Sequence, residues 1–140
     1  MITAVKNKKY IFSFLIILIV FFSCAEDDNI FLSEDRDAFI GTWNVNDSCF
    51  RNAYNVSIVA DPANSSQVII KNFWQVGYNE KPPYAIVAGS TITIPKQSML
   101  YNGSDTVSGS GSLIKDKIKW DFTVKAGGDL WTCNATYEKP

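Results

Sequence analysis

The sequence predicts an all-β domain, an eight-stranded up-and-down antiparallel β-barrel, held behind an N-terminal signal and a flexible tether. Three observations predict it. Past Asp37 apolar and polar residues alternate with period two almost everywhere; clusters of Gly, Pro, Asn, Asp and Ser interrupt the alternation at short intervals; and no segment longer than about ten residues carries a helical period.

The chain opens with Lys6, Lys8 and Lys9, continues through an apolar run from Tyr10 to Phe22, and reaches the small residue Ser23 before Cys24. These are the three parts of an export signal. The run is short: as a helix it would reach about 20 Å against a hydrocarbon layer of about 30 Å, so a spanning helix is the weaker reading. A cysteine directly after the apolar core resembles the signal of bacterial lipoproteins, in which that cysteine is acylated and becomes the first residue of the mature protein. Cys24 is the expected lipidation site and residues 1–23 the signal peptide. Phe21 and Phe22 depart from the small residues and leucine that such signals favour. The acidic run Ala25-Glu26-Asp27-Asp28 is similar to the surface-export tag of Bacteroidetes-type lipoproteins, which implies an outer-membrane, lipid-anchored and surface-exposed protein. The alternative is an uncleaved anchor followed by a solvated acidic linker. Residues 24–37 are charged, lack a pattern that would bury them, and are expected to be an acidic tether to a barrel domain over 38–140.

With Cys24 assigned to lipid, Cys49 and Cys133 remain of three cysteines, and in an oxidising compartment an even remainder implies a disulfide. Two buried free thiols are the alternative.

In the domain, Phe39, Gly41, Trp43 and Val45 alternate with Ile40, Thr42, Asn44 and Asn46, a strand with one buried face. Further strands are expected near Ala53 to Ala60, Gln67 to Trp74, Tyr84 to Ala88, Thr91 to Ile94, Asp105 to Leu113, Lys117 to Lys125 and Leu130 to Glu138. Between them stand "DPANSS" from Asp61, "NEKPP" from Asn79, "GS" at Gly89, "YNGSD" from Tyr101, "KD" at Lys115 and "AGGD" from Ala126, residues that tolerate tight or left-handed backbone. Short connections throughout suggest an up-and-down sheet, and closure would remove its edges. In a closed barrel with an even strand number the first and last strands run antiparallel, which sets the end of one beside the start of the other. Cys49 follows the first expected strand and Cys133 lies early in the last, so their pairing is what closure predicts; a sandwich with adjacent termini would do the same.

Gly41-Thr42-Trp43 resembles the start of lipocalin-type and other calycin barrels. Together with "VSGSGSLIKDKIKWDFTV" and the terminal "CNATYEK", it makes most of Phe39 to Lys139 similar to small lipocalin-like lipoproteins of Bacteroidetes-type bacteria. The resemblance implies a barrel and a small-molecule or cell-surface binding role. The sequence departs from lipocalins in having no arginine on the last strand to pack across the tryptophan, with Thr132, Asn134 and Thr136 there instead.

Composition excludes several classes. Histidine is absent, which removes the commonest general base and metal ligand, so no metal or cofactor is expected. The formal charge is −1; the signal's lysines contribute +3 with no acid beside them, leaving −4 for the rest, which argues against a nucleic-acid partner. A serine nucleophile lacks its base, and Asp61, Glu80, Asp105, Asp116, Asp121 and Asp129, the candidate catalytic carboxylates, fall mostly in expected turns. The expectation is no enzyme.

The inward parity collects Trp43, Tyr54, Val56, Ile58, Val68, Ile70, Trp74, Ile92, Ile94, Trp120, Phe122, Trp131 and Tyr137. An eight-stranded barrel is just wide enough to be filled by side chains or to hold one small ligand. Gly109 and Gly111 share that parity and leave room that a ligand, or Trp120 on the neighbouring strand, could take. Around a proline turn, "NFWQVGYNEKPPYA" presents Phe73, Trp74, Tyr78 and Tyr84, which could stack on sugars, close over an apolar ligand, or simply cover the barrel's open end. The expected ligand-binding residues are Trp43, Tyr54, Trp74, Tyr84, Trp120 and Tyr137. Two functions follow: a surface binding module for a small apolar or glycan ligand, tethered to the membrane through its lipid; or an accessory lipoprotein with a solid barrel whose outer surface meets another protein.

Overall fold

The computed structural model describes residues 35–140, so the signal peptide, Cys24 and nearly all of the tether lie outside the described residues. The strands are β1 (Gly41–Asp47), β2 (Tyr54–Ala60), β3 (Gln67–Lys71), β4 (Tyr84–Ala88), β5 (Thr91–Ser98), β6 (Thr106–Ile114), β7 (Lys117–Ala126) and β8 (Asp129–Glu138), with a 3-10 turn at Phe73–Gln75 between β3 and β4. They pair in sequence order and close into one antiparallel barrel. The architecture is the expected one and is compatible with a lipocalin-like fold.

Closure is made by β1 against β8, from Asn44 opposite Glu138 to Asp47 opposite Ala135. The ladder then continues past β1: the Ser48 amide donates to the Asn134 carbonyl (2.8 Å), and the Asn134 amide donates to Ser48 Oγ (2.9 Å). Next in line is the Cys49–Cys133 disulfide, its Cα atoms 5.6 Å apart. The bond thus staples the seam at one end of the barrel, called here the mouth, where β1 finishes and β8 begins. The opposite end, the base, is where β1 begins and β8 finishes.

Two strands differ from expectation by more than a residue in length. β3 ends at Lys71 because Asn72 turns left-handed (φ 61°), which lifts Phe73 and Trp74 out of the ladder. Asparagine tolerates that conformation better than most residues. β5 runs on through Pro95 to Ser98, with its register against β6 shifting between Ile94 and Gln97. A proline has no N–H to give the ladder, and a bulge accommodates it without ending the strand.

Most of the residues that alternation places inward are buried; Tyr54 and Trp74 are half-buried and Trp131 is exposed. Trp43, Val56, Ile58, Val68, Ile70, Ile92, Ile94, Trp120, Phe122 and Tyr137 are all buried. Each large apolar side chain removed from water contributes about 1.5–3 kcal/mol. Gly109 and Gly111 make room for neighbours on β7: a Cβ at Gly111 would stand 2.8 Å from the Trp120 ring, and one at Gly109 would run into Phe122. The space that these glycines leave is therefore occupied by protein.

At the base, the Trp43 indole donates to the Phe39 carbonyl (2.9 Å). Lys139, just beyond β8, sets its ammonium 4.6 Å from the centre of the Trp43 ring and donates to the Ile40 carbonyl (2.9 Å). The cation missing from the last strand is supplied by the residue that follows it. Gly41 has φ 138°, and a Cβ there would meet Lys139 Nζ at 3.0 Å, so glycine at this position serves both the backbone and the lysine's approach.

Candidate functional site

The mouth concentrates the polar and strained features of the domain. Its centre is Asp47, the last residue of β1, on the inward parity and only 2% exposed. Its carboxylate accepts from the Cys49 amide (2.8 Å) and from the Tyr54 hydroxyl (2.9 Å). Tyr54 opens β2 directly opposite Val45, and Val45 faces Tyr137 on its other side, so the β-ladder itself gathers the two phenols near the carboxylate. Burial holds both phenols above their ordinary ionisation range; the Tyr137 and Asp47 charges add to the effect at Tyr54, as Asp47 does at Tyr137. Both hydroxyls stay protonated and able to donate.

Over this cluster lies the segment between β3 and β4. Asn72, Trp74 and Gln75 all have positive φ (61°, 53° and 57°). The turn is tied down by the Asn72 side chain, which donates to the Asn55 carbonyl (2.8 Å) and accepts from the Gly77 amide (2.9 Å). Left-handed backbone costs a non-glycine residue about 1–2 kcal/mol. What it achieves is to send consecutive aromatics in different directions. Phe73 goes down into the barrel, its ring 5.1 Å from Phe122 and 6.4 Å from Trp120. Trp74 stays at the rim, 5.4 Å from Phe50 and 6.3 Å from Trp131. Phe50 in turn meets Tyr54 edge-on at 5.7 Å.

Three buried donors around this region have no hydrogen-bond partner among the described residues: Trp74 Nε1, Trp120 Nε1 and the Tyr137 hydroxyl. Trp120 and Tyr137 pack ring against ring at 5.8 Å. Buried donors left unpaired are uncommon and costly. Asp47, Cys49 and Cys133 bring their ligand atoms within 4.8 Å of one another, but the disulfide occupies both sulfurs, so they do not form a thiolate metal site.

The residues expected to bind ligand divide. Tyr54, Trp74, Trp120 and Tyr137 come together at or beneath the mouth. Trp43 is at the base, fully buried and hydrogen-bonded. Tyr84 lies on the outward parity of β4, 37% exposed, with its backbone amide and carbonyl both bonded to the Gln97 side chain. Asp47 and Phe50 were not foreseen as site residues. Trp131, on the inward parity of β8, is 44% exposed at the rim and extends the aromatic surface.

No family model, curated protein or solved structure matches the chain.

Proposed function

We propose that this protein is a lipid-anchored binding module of the outer cell surface, tethered through Cys24, that takes a glycan at the Trp74–Trp131 mouth. The observation that carries the proposal is that indole surface remains in solvent at the rim while Phe73, Trp120 and Phe122 below it are buried. Trp131 shows 44% of its surface, beside Trp74 and Phe50. Sugar rings present C–H faces to such indoles and hydroxyls to neighbouring donors and acceptors. Of the two ligand classes in view, the packing of Phe73 on Trp120 and Phe122 favours the glycan, because an apolar molecule entering there would have to displace them. The same packing favours, as a second reading, an accessory protein whose outer surface is the working part.

Tryptophan fluorescence of the full chain, titrated with a panel of oligosaccharides and with fatty acids, separates these. The module predicts a saturable response to at least one oligosaccharide, lost in Trp131→Ala, and none to fatty acids. Silence toward every oligosaccharide would leave the accessory reading. Labelled palmitate should enter the wild type and not Cys24→Ala; equal labelling of both would end the anchor.

A further inference from the structure

The geometry points to a second site, on the outer wall beside the aromatic mouth, that takes a phosphate monoester between Lys96 and Lys125. Thr106 faces Lys125 across the β6–β7 ladder, and Ser108 faces Thr123 one step along. Val107 and Val124, between them, are buried, so these four residues stand on the outward parity. Lys96 belongs to the stretch of β5 where the register slips between Ile94 and Gln97, and it closes the third side. The result is a groove of about 140 Å³ lined by Lys96 and Lys125, by Thr106, Ser108 and Thr123, and by Val107 and the 71% exposed Leu130.

Three features select the ligand. No carboxylate lines the groove, and neither lysine is within ion-pair distance of an acid among the described residues. Two lysines on one groove with no acid beside them make a local positive field, which suits a group carrying close to two negative charges. A phosphate monoester carries about −1.5 to −2 at neutral pH, where a carboxylate or sulfate ester carries only one. The hydroxyls of Thr106, Ser108 and Thr123 can donate to oxygens that the ammonium groups leave free; Ser108 Oγ and Thr123 Oγ1, 3.1 Å apart, already form one donor–acceptor pair that can be redirected. Leu130 gives the carbon side of an ester something to lie against, which a free inorganic ion would not use.

The same monoester chemistry occurs on phosphorylated sugars and on lipids, and the test separates the sources. Full-chain protein in neutral detergent micelles is titrated with inorganic phosphate, with glucose 6-phosphate against glucose, and with phosphatidic acid added to the micelles, following backbone amide resonances. The expected result is saturable shifts at Thr106–Ser108 and Thr123–Lys125, tighter for a monoester than for inorganic phosphate and absent with glucose. Lys96→Gln and Lys125→Gln each weaken binding at least about fivefold, the loss of one charge-assisted contact. Lys119→Gln, exposed on β7 outside the groove, leaves binding unchanged. A sugar phosphate binding more tightly than phosphatidic acid assigns the site to a soluble or glycan-borne phosphate; the reverse order assigns it to a lipid. No saturable shift with any probe, or equal weakening by Lys119→Gln, would overturn the site.

Discussion

The two ends of this barrel are closed by opposite means. At the base the polar groups around the tryptophan are paired: the Trp43 indole reaches the Phe39 carbonyl, Lys139 covers the ring and bonds Ile40, and Lys117 meets Glu138 at 2.8 Å, while the buried Arg36 Nε is left without a hydrogen-bond partner among the described residues. At the mouth, three of four residues from Asn72 to Gln75 are left-handed, Trp74 Nε1 is unpartnered, and Trp131 faces solvent. Both ends are aromatic. The difference is that the base pairs the indole it buries, whereas the mouth leaves its indole unpaired under a strained turn.

The largest effect expected from breaking this contrast is at the disulfide, the mouth's one covalent tie. Cys49 and Cys133 are 84 residues apart, and opening a loop of that length releases about 4 kcal/mol of unfolded-state constraint. Cys49→Ser with Cys133→Ser should lower the free energy of unfolding by about that amount in urea titrations. A loss below about 1 kcal/mol would mean that the β1–β8 ladder alone holds the seam, and the two ends would be equally self-sufficient.

Alkaline pH attacks the polar cluster under the mouth next. Tyr54 and Tyr137 have ionisation raised above the ordinary value of 10.0, mainly by burial. Their contribution is fully present below that value, because neither state then ionises; as pH rises past it, only the unfolded chain loses the protons, and stability falls. Ultraviolet titration should show both phenols silent above pH 10 until the domain unfolds. If both ionise near 10 with the fold intact, the interior at the mouth is wet.

At the base, Lys139→Met keeps the apolar stem over Trp43 but removes the cation and its bond to Ile40. A stability loss of about 1 kcal/mol is expected, with no change in ligand response at the mouth.

The ladder was legible in sequence because period two is a local signal, and turn residues mark its breaks. The base was half legible: Gly41 and Trp43 announce a closure, but the covering cation sits past the last strand, where alternation says nothing. Asp47 was invisible. It follows the last residue of an alternating run on the inward parity, yet a carboxylate there is acceptable only because Tyr54 and the Cys49 amide meet it, one of them from another strand. The cover was hidden for a similar reason. Apolar Phe73 and Trp74 prolong the β3 pattern, and only the left-handed turn at Asn72, fixed by a bond to Asn55 across the barrel rim, removes them from it.

That turn supports the smallest and most discriminating test. Glycine at position 75 would remove the about 1–2 kcal/mol that glutamine bears at φ 57°, while adding about 0.5–1 kcal/mol of unfolded-chain entropy to be lost. Gln75→Gly should therefore unfold at equal or slightly higher denaturant, by about 0.5 kcal/mol. Because the freer backbone fixes Trp74 less firmly, the fluorescence response to an oligosaccharide should weaken at the same time. A variant that gains stability and loses binding identifies strain kept for recognition; one that loses more than about 1 kcal/mol shows the glutamine to be anchoring the cover, and the mouth would then be as purely structural as the base.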